Sequence, residues 1–302
     1  MIPLRRGIIG VVQTPFDEGG GLDTSSLGAL VHDAVAAGID GFLAPVVASE
    51  VHYLDDDERE RVMRVVAEGV RGRVPWIAGA SSDDVAACHH HASLAAELGA
   101  SAYLIAVPEE LYDAPEEVLP FLQAATAGHA LPFLLQDFQL HGDGLDVETI
   151  VRLRANLPML AGIKIETTPA GPKYSAVRAA CGADFFIAGG WAVPQMIEAL
   201  DRGVDAMIPE CSMVRVYKAI DRLYRSGDRP SALALFRRLL PVLAFANQDV
   251  PTSIAFFKRL LVRKGIFAHA RRRHPGFSWD AVNAGVAGEL IDLYLALEAE
   301  VS

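Results

Sequence analysis

Residues 132–138 read PFLLQDF, residues 147–155 read VETIVRLRA and residues 160–166 read LAGIKIE. The first and third are near-continuous apolar runs of strand length, and a helical pattern lies between them. A strand that is apolar on both faces is covered on both faces by crossover helices, so it belongs to a parallel sheet. Outward from this unit the same alternation repeats. Strands are predicted at 8–14, 41–48, 74–80, 102–107, 132–138, 160–166, 185–188 and 205–209, with helices at 57–70, 83–98, 115–125, 147–155, 173–180 and 194–200. A helix also follows the first strand, with Leu27, Leu30, Val31 and Ala34 at spacings of three and four and a stop at Gly38.

Eight such units suit an α/β fold closed into a (β/α)8 TIM barrel, which takes about 250 residues. A doubly wound open sheet is the runner-up; it has fewer units and a glycine-rich first turn. From Val214 to Glu298 the pattern is helix only, punctuated by Gly227-Asp228-Arg229-Pro230 and Gly276. The expected division is a barrel over residues 1–224 and a C-terminal helical region over residues 225–302.

Half of the 302 residues are hydrophobic (51%) and 22% are charged, enough apolar material for a large core and unlike a disordered chain. Twenty-seven basic against 38 acidic residues give a formal charge of −11, which argues against a nucleic-acid partner. No apolar run reaches the 18 or so residues that span a bilayer, so no membrane partner is expected. The opening Met1–Gly10 reads as a first strand rather than a signal peptide, because it breaks at Gln13-Thr14-Pro15 without a small-residue cleavage site. Cys88, Cys181 and Cys211 form neither a disulfide framework nor a zinc pattern; they point to a reducing, cytoplasmic location.

Lys164 stands between Ile163 and Ile165 near the C-terminal end of its strand, the end at which barrels carry chemistry. Burial there disfavours the charged amine, and a neutral amine can attack a ketone to form an imine. The other reading of the bare sequence is a lysine paired with an acid at a strand end. Strand alternation puts Glu166 on the same face, as a base, a charge partner of the lysine, or a loop carboxylate capping the next helix. A carboxylate too close would hold the lysine protonated.

Thr14-Pro15-Phe16, Leu22-Asp23, Glu50, Leu54, Glu58, Gly162-Ile163-Lys164, Gly189, Gly203–Ile208, Lys258 and the Arg273/Pro275 region, in that order, resemble the dihydrodipicolinate synthase / N-acetylneuraminate lyase family of class I aldolases over essentially the whole length. Thr14-Pro15-Phe16 with Leu22-Asp23 is similar to its first turn, and Glu50, Leu54 and Glu58 follow its second-strand spacing. Gly162-Ile163-Lys164 is similar to the strand bearing its Schiff-base lysine. Gly189 and Gly203–Ile208 match its seventh and eighth units, and Lys258 and the Arg273/Pro275 region match its helical tail. The resemblance implies a Schiff-base role for Lys164, a small 2-oxo acid substrate of the pyruvate type, no metal or organic cofactor, and a homo-oligomer, dimer or tetramer. It also implies Thr14, Val47, Ala48, Ser49, Asp137, Gly189 and Ile208 at the substrate, with Ser49 offering a backbone N–H to a carboxylate. Glu50 is expected to order that turn rather than to act in catalysis.

Departures from the family pattern fall on its proton-handling groups. Val46-Val47-Ala48-Ser49 replaces a glycine and two threonines, and Val47 stands where one of the threonines serves a hydroxyl relay. Gln136 occupies the place of the relay tyrosine and is followed by Asp137. The synthases' carboxylate-binding arginine aligns with His141 or its neighbour. A tyrosine that the family takes from a neighbouring subunit aligns near Glu110, with Tyr112 close by. An amide has no accessible pKa. Gln136 is therefore expected to bind substrate, with acid–base work falling to Asp137, Glu166, Tyr112, His52, His141 or a water; Glu210 is a further pocket carboxylate.

Other features read as bland. His89-His90-His91 point in three directions on a helix and share no metal. Gly19-Gly20-Gly21 lacks the lysine and hydroxyl of a phosphate loop and reads as a surface turn. Arg271-Arg272-Arg273 reads as a solvated face or subunit contact, and Trp191 as a pocket or rim residue. The expected function is a lysine-imine lyase acting on a 2-oxo acid by C–C cleavage or condensation, distinct from authentic dihydrodipicolinate synthesis. The alternatives are a non-catalytic 2-oxo-acid binder or regulator, and a dehydratase of a deoxy sugar acid.

Overall fold

The computed structural model describes residues 3–139, 142–191, 193–274 and 276–301. Eight parallel strands close into a barrel in sequence order. They are β1 (Gly7–Val11), β2 (Gly41–Ala44), β3 (Trp76–Gly79), β4 (Ala102–Ala106), β5 (Phe133–Gln139), β6 (Leu160–Thr167), β7 (Phe186–Gly189) and β8 (Ala206–Met207). The crossover helices are α1 (Thr24–Ala36), α2 (Asp56–Val70), α3 (Val85–Glu97), α4 (Val118–Thr126), α5 (Val147–Asn156), α6 (Gly171–Cys181) and α7 (Met196–Asp201). After β8 come α8 (Val214–Arg225), α9 (Arg229–Ala246), α10 (Val250–Arg263) and α11 (Ala281–Val301). The TIM-barrel fold and its C-terminal helices are thus the expected ones.

Local chemistry sets the boundaries. Asp55 and Glu58 form a reciprocal capping box at the start of α2, and Asp146, Asp228 and Asp249 each accept a backbone N–H at the starts of α5, α9 and α10. β2 was expected to run to Ala48 but stops at Ala44, because Pro45 has no N–H for the ladder. Val47–Ser49 and Val51–Tyr53 are instead short 3-10 turns.

The chain divides into two compact units, one of residues up to Arg6 with Pro75–Ile208, the other of Gly7–Val74 with residues from Pro209 on. The expected boundary at 224/225 does not coincide with this division. In the first unit β6 is the central strand, paired with β5 on one side and β7 on the other. Its Ile163 and Ile165 are fully buried, each contributing about 1.5–3 kcal/mol. Gly162 lets β7 approach, since a Cβ there would lie 2.2 Å from the Phe186 carbonyl oxygen. In the second unit Arg215 of α8 makes a two-pronged ion pair with Asp33 of α1, at 2.7 and 3.0 Å. Among the described residues no helix is long and apolar enough to cross a membrane, and the three cysteines are buried and in no disulfide.

Candidate active site

Alternation along β6 sends Gly162, Lys164 and Glu166 to one face and Ile163, Ile165 and Thr167 to the other. Register then supplies the neighbours of Lys164, which is flanked by Gln136 on β5 and Ala188 on β7. Lys164 Nζ lies 2.8 Å from Glu166 Oε2. Gln136 Nε2 donates to the same oxygen at 2.5 Å, and the backbone N–H of Trp191 donates to Oε1 at 3.0 Å. A carboxylate only accepts, so the amide of Gln136 must turn its nitrogen toward it. Lys164, Gln136 and Glu166 are 3%, 3% and 6% exposed. Glu166 is therefore a buried carboxylate held at both oxygens, with the amine as one of its partners. Its negative charge, with burial as the larger cause, pushes the nearby Tyr174 hydroxyl well above the usual tyrosine range.

Asp137 is not brought to this group. It is adjacent to Gln136 in sequence and so projects from the other face of β5. There Lys173 Nζ of α6 meets it at 2.5 Å and the Leu145 N–H donates to it at 3.1 Å. Burial pushes its carboxyl up despite the lysine. The Tyr112 hydroxyl accepts the Phe138 N–H at 2.8 Å, and burial, then Asp137, pushes it above the usual tyrosine range. Tyr112 and Asp137 thus face the β5–α6 side, away from the Lys164 group. His141 lies outside the described residues. Gly189 ends β7; its carbonyl accepts the N–H of the buried Ile208 at 2.6 Å. Sequence reasoning missed the Trp191 N–H and Lys173, since neither a backbone donor nor a surface-pattern lysine carries a local signal.

In the second unit Thr14 Oγ1 donates to the Ser49 carbonyl at 2.7 Å, and Ser49 Oγ donates to the Val12 carbonyl at 2.6 Å. The Ser49 N–H is spent on the Val46 carbonyl at 2.7 Å, so it does not offer itself to a carboxylate. Val47 and Ala48 are half-buried on the same turn. Glu50 follows with φ 58, in the left-handed region; its carboxylate pairs with Lys258 and accepts the Arg273 N–H at 2.8 Å. Burial lowers Lys258 to about 8. This cluster is a clamp that ties the turn after β2 to Lys258 and Arg273. Glu210 is fully enclosed, accepts from Gln13 Nε2 at 2.8 Å and from the Ser212 N–H, and is pushed up by burial. His52 is exposed. Among the described residues no group of three or more His, Cys, Asp or Glu could hold a metal ion. His89 Nδ1 lies 2.9 Å from His129 Nε2 on a neighbouring helix end, not beside His90 or His91.

The sequence profile of the dihydrodipicolinate synthetase family matches residues 4–282. The chain belongs to that family. Among curated members it is 29% identical over 279 residues to an L-2-keto-3-deoxyarabonate dehydratase of Azospirillum brasilense, covering 90% of this chain and 89% of the other. It is 29% identical over 242 residues to a 4-hydroxy-tetrahydrodipicolinate synthase of a Chelativorans species, covering 78% and 81%. The fold is shared with the dihydrodipicolinate synthase of Rhodopseudomonas palustris, with a TM-score of 0.90 and 22% identity over 97% of this chain and 99% of that one. This member of the dihydrodipicolinate synthetase family is thus of a lyase lineage that includes both synthases and a dehydratase.

Proposed function

We propose that this protein is a lysine-imine lyase that removes water from a 2-oxo acid bearing a hydroxyl group on C4. One observation carries the proposal: Glu166 stands 2.8 Å from the Lys164 amine, and the other side chain at that carboxylate is an amide, Gln136, which the family resemblance aligns with the relay tyrosine. Aldol cleavage and elimination begin with the same imine and differ in which proton is taken. Cleavage needs a base at the C4 hydroxyl, two bonds beyond the imine carbon, and Gln136 cannot serve as one. Elimination needs a base at C3, next to the imine carbon, which is the reach of a carboxylate beside Nζ.

The steps balance with one carboxyl group. Lys164 passes a proton to Glu166 and attacks C2; the carbinolamine hydroxyl leaves as water with that proton returned. Glu166 then takes a proton from C3, giving the enamine. The enamine expels the C4 hydroxyl, which leaves as water with the same proton. Hydrolysis of the conjugated iminium releases the product and restores the amine, so the net change is loss of one water. The protonated imine is the electron sink, so no metal or organic cofactor is required. The dehydratase relative, whose name specifies a 2-keto-3-deoxy sugar acid, supports this substrate class. Three buried cysteines in no disulfide support a cytoplasmic location, and the family resemblance supports a homo-oligomer.

Borohydride added with pyruvate is expected to trap a covalent adduct on Lys164, seen by mass spectrometry, and Lys164→Ala to abolish it. Incubation with 3-deoxy-2-oxo sugar acids is expected to give products one water lighter. Pyruvate release from those acids would restore the aldolase reading, an adduct without turnover would favour a non-catalytic binder, and no adduct at all would sink the proposal.

A further inference from the structure

We infer that Gly190 is a positioning residue: the side chain it lacks is the space in which the Glu166 base stands, and this vacancy commits the site to taking a proton from C3. The inference rests on the imine chemistry proposed for Lys164.

Glycine is usually needed for its backbone, at positive φ. Gly190 is not among the glycines of this chain with positive φ, so its conformation is open to any residue. What it lacks room for is a Cβ. An ideal Cβ there would lie 2.1 Å from Glu166 Oε1, 2.6 Å from Glu166 Cδ and 2.7 Å from Lys164 Cε. Both obstructed side chains are those of the proposed reaction. The neighbouring Gly189 differs: a Cβ there would meet Tyr174 Oη at 2.4 Å and Met207 Cε at 3.1 Å, which are packing contacts. Gly190 also opens the peptide whose far side is the Trp191 N–H, the donor that holds Glu166 Oε1 at 3.0 Å. Space and donor thus come from one turn after β7. With Oε1 fixed there, Oε2 is left facing Lys164 and Gln136.

The atoms that a Cβ would strike are tips of flexible side chains, not backbone. Gly190→Ala is therefore expected to fold and to expel the carboxylate from its place. A lysine on a four-carbon stem can re-aim at a ketone, whereas a base displaced by about an ångström loses its proton-transfer geometry.

Pyruvate supplies the readout. Its imine loses a methyl proton to Glu166 and the enamine regains deuterium from D2O, so NMR follows C3 exchange without knowledge of the natural substrate. Gly190→Ala is expected to keep its melting temperature, to reach the same borohydride-trapped adduct more slowly because the displaced carboxylate also carries the proton of imine formation, and to slow exchange in the formed adduct about 100-fold, the scale of a lost general base. Glu166→Asp withdraws the carboxylate by one methylene, so adding Gly190→Ala to it is expected to slow exchange no further. The double variant also tests the idea should Gly190→Ala alone prove unstable. Exchange in Gly190→Ala at the wild-type rate would overturn the inference, as would additive losses in the double variant. Wild-type protein that forms no adduct would instead overturn the imine chemistry beneath it.

Discussion

At the scale of single residues, the site is a carboxylate held by three donors: the Lys164 amine, the Gln136 amide and the Trp191 N–H. Glu166→Gln keeps the shape and removes the base. The variant is expected to reach the pyruvate adduct more slowly, because Glu166 also carries the proton of imine formation, and, once the adduct has formed, to lose about 100-fold in C3 proton exchange measured by NMR in D2O. A variant exchanging normally would show that another group takes the proton. That Lys164 and Glu166 share a face was legible from alternation along one strand, since neither position depends on a distant part of the chain. The same rule, applied to Gln136 and Asp137, separates them, yet both were expected at the substrate because a resemblance aligns positions without facing. Gly190 was not legible at all. A glycine with an ordinary backbone reveals its purpose only when the atoms filling its empty side are known.

At the scale of elements, β5 and α6 are joined by a buried ion pair, with Asp137 fully buried and the Lys173 side chain 10% exposed. Replacing Lys173 by Met leaves the carboxyl buried without its counter-charge, a change that costs about 3–5 kcal/mol where the acid is ionised. The sign with pH follows from burial, which already raises the folded-state pKa of Asp137 above its ordinary value. Without Lys173 it rises further, so above the ordinary aspartate range the folded state binds more protons than the unfolded one and stability falls as pH rises. Thermal midpoints are therefore expected to show a larger deficit for Lys173→Met at pH 8 than at pH 5, and Lys173→Met with Asp137→Asn to recover most of it. A pH-independent deficit would mean that lost packing, not charge, is responsible. Strand order was legible because apolar runs and helix caps are local signals. The end of β2 was not, because the valines after Pro45 look like strand and fold as a turn.

At the scale of the whole molecule, the second unit gathers Gly7–Val74 and the helices after β8, and its clamps span most of the sequence. Arg273 grips both oxygens of Glu58, at 2.5 and 2.7 Å, and donates to the Gly20 and Tyr53 carbonyls. Its guanidinium lies 4.2 Å from the Phe16 ring centroid, and Lys258 lies 4.4 Å from the same ring while pairing with Glu50. No sequence window contains both ends of such a pair, so only the resemblance pointed to Lys258 and Arg273. Arg273 holds the Glu58 carboxyl below the usual glutamate range. A depressed carboxyl means that the unfolded state binds the extra proton, so its contribution is present above the ordinary glutamate pKa and is lost as pH falls through the folded value. Glu58→Gln removes a two-pronged, charge-assisted contact worth about 2 kcal/mol, or about 3 °C in melting temperature. Scanning calorimetry is expected to find that deficit at pH 7 and to see it shrink toward pH 3, where wild type loses the same contribution by protonation. Curves for variant and wild type that stay parallel down to pH 3 would show that Glu58 acts through its cap on α2 rather than through its charge on Arg273.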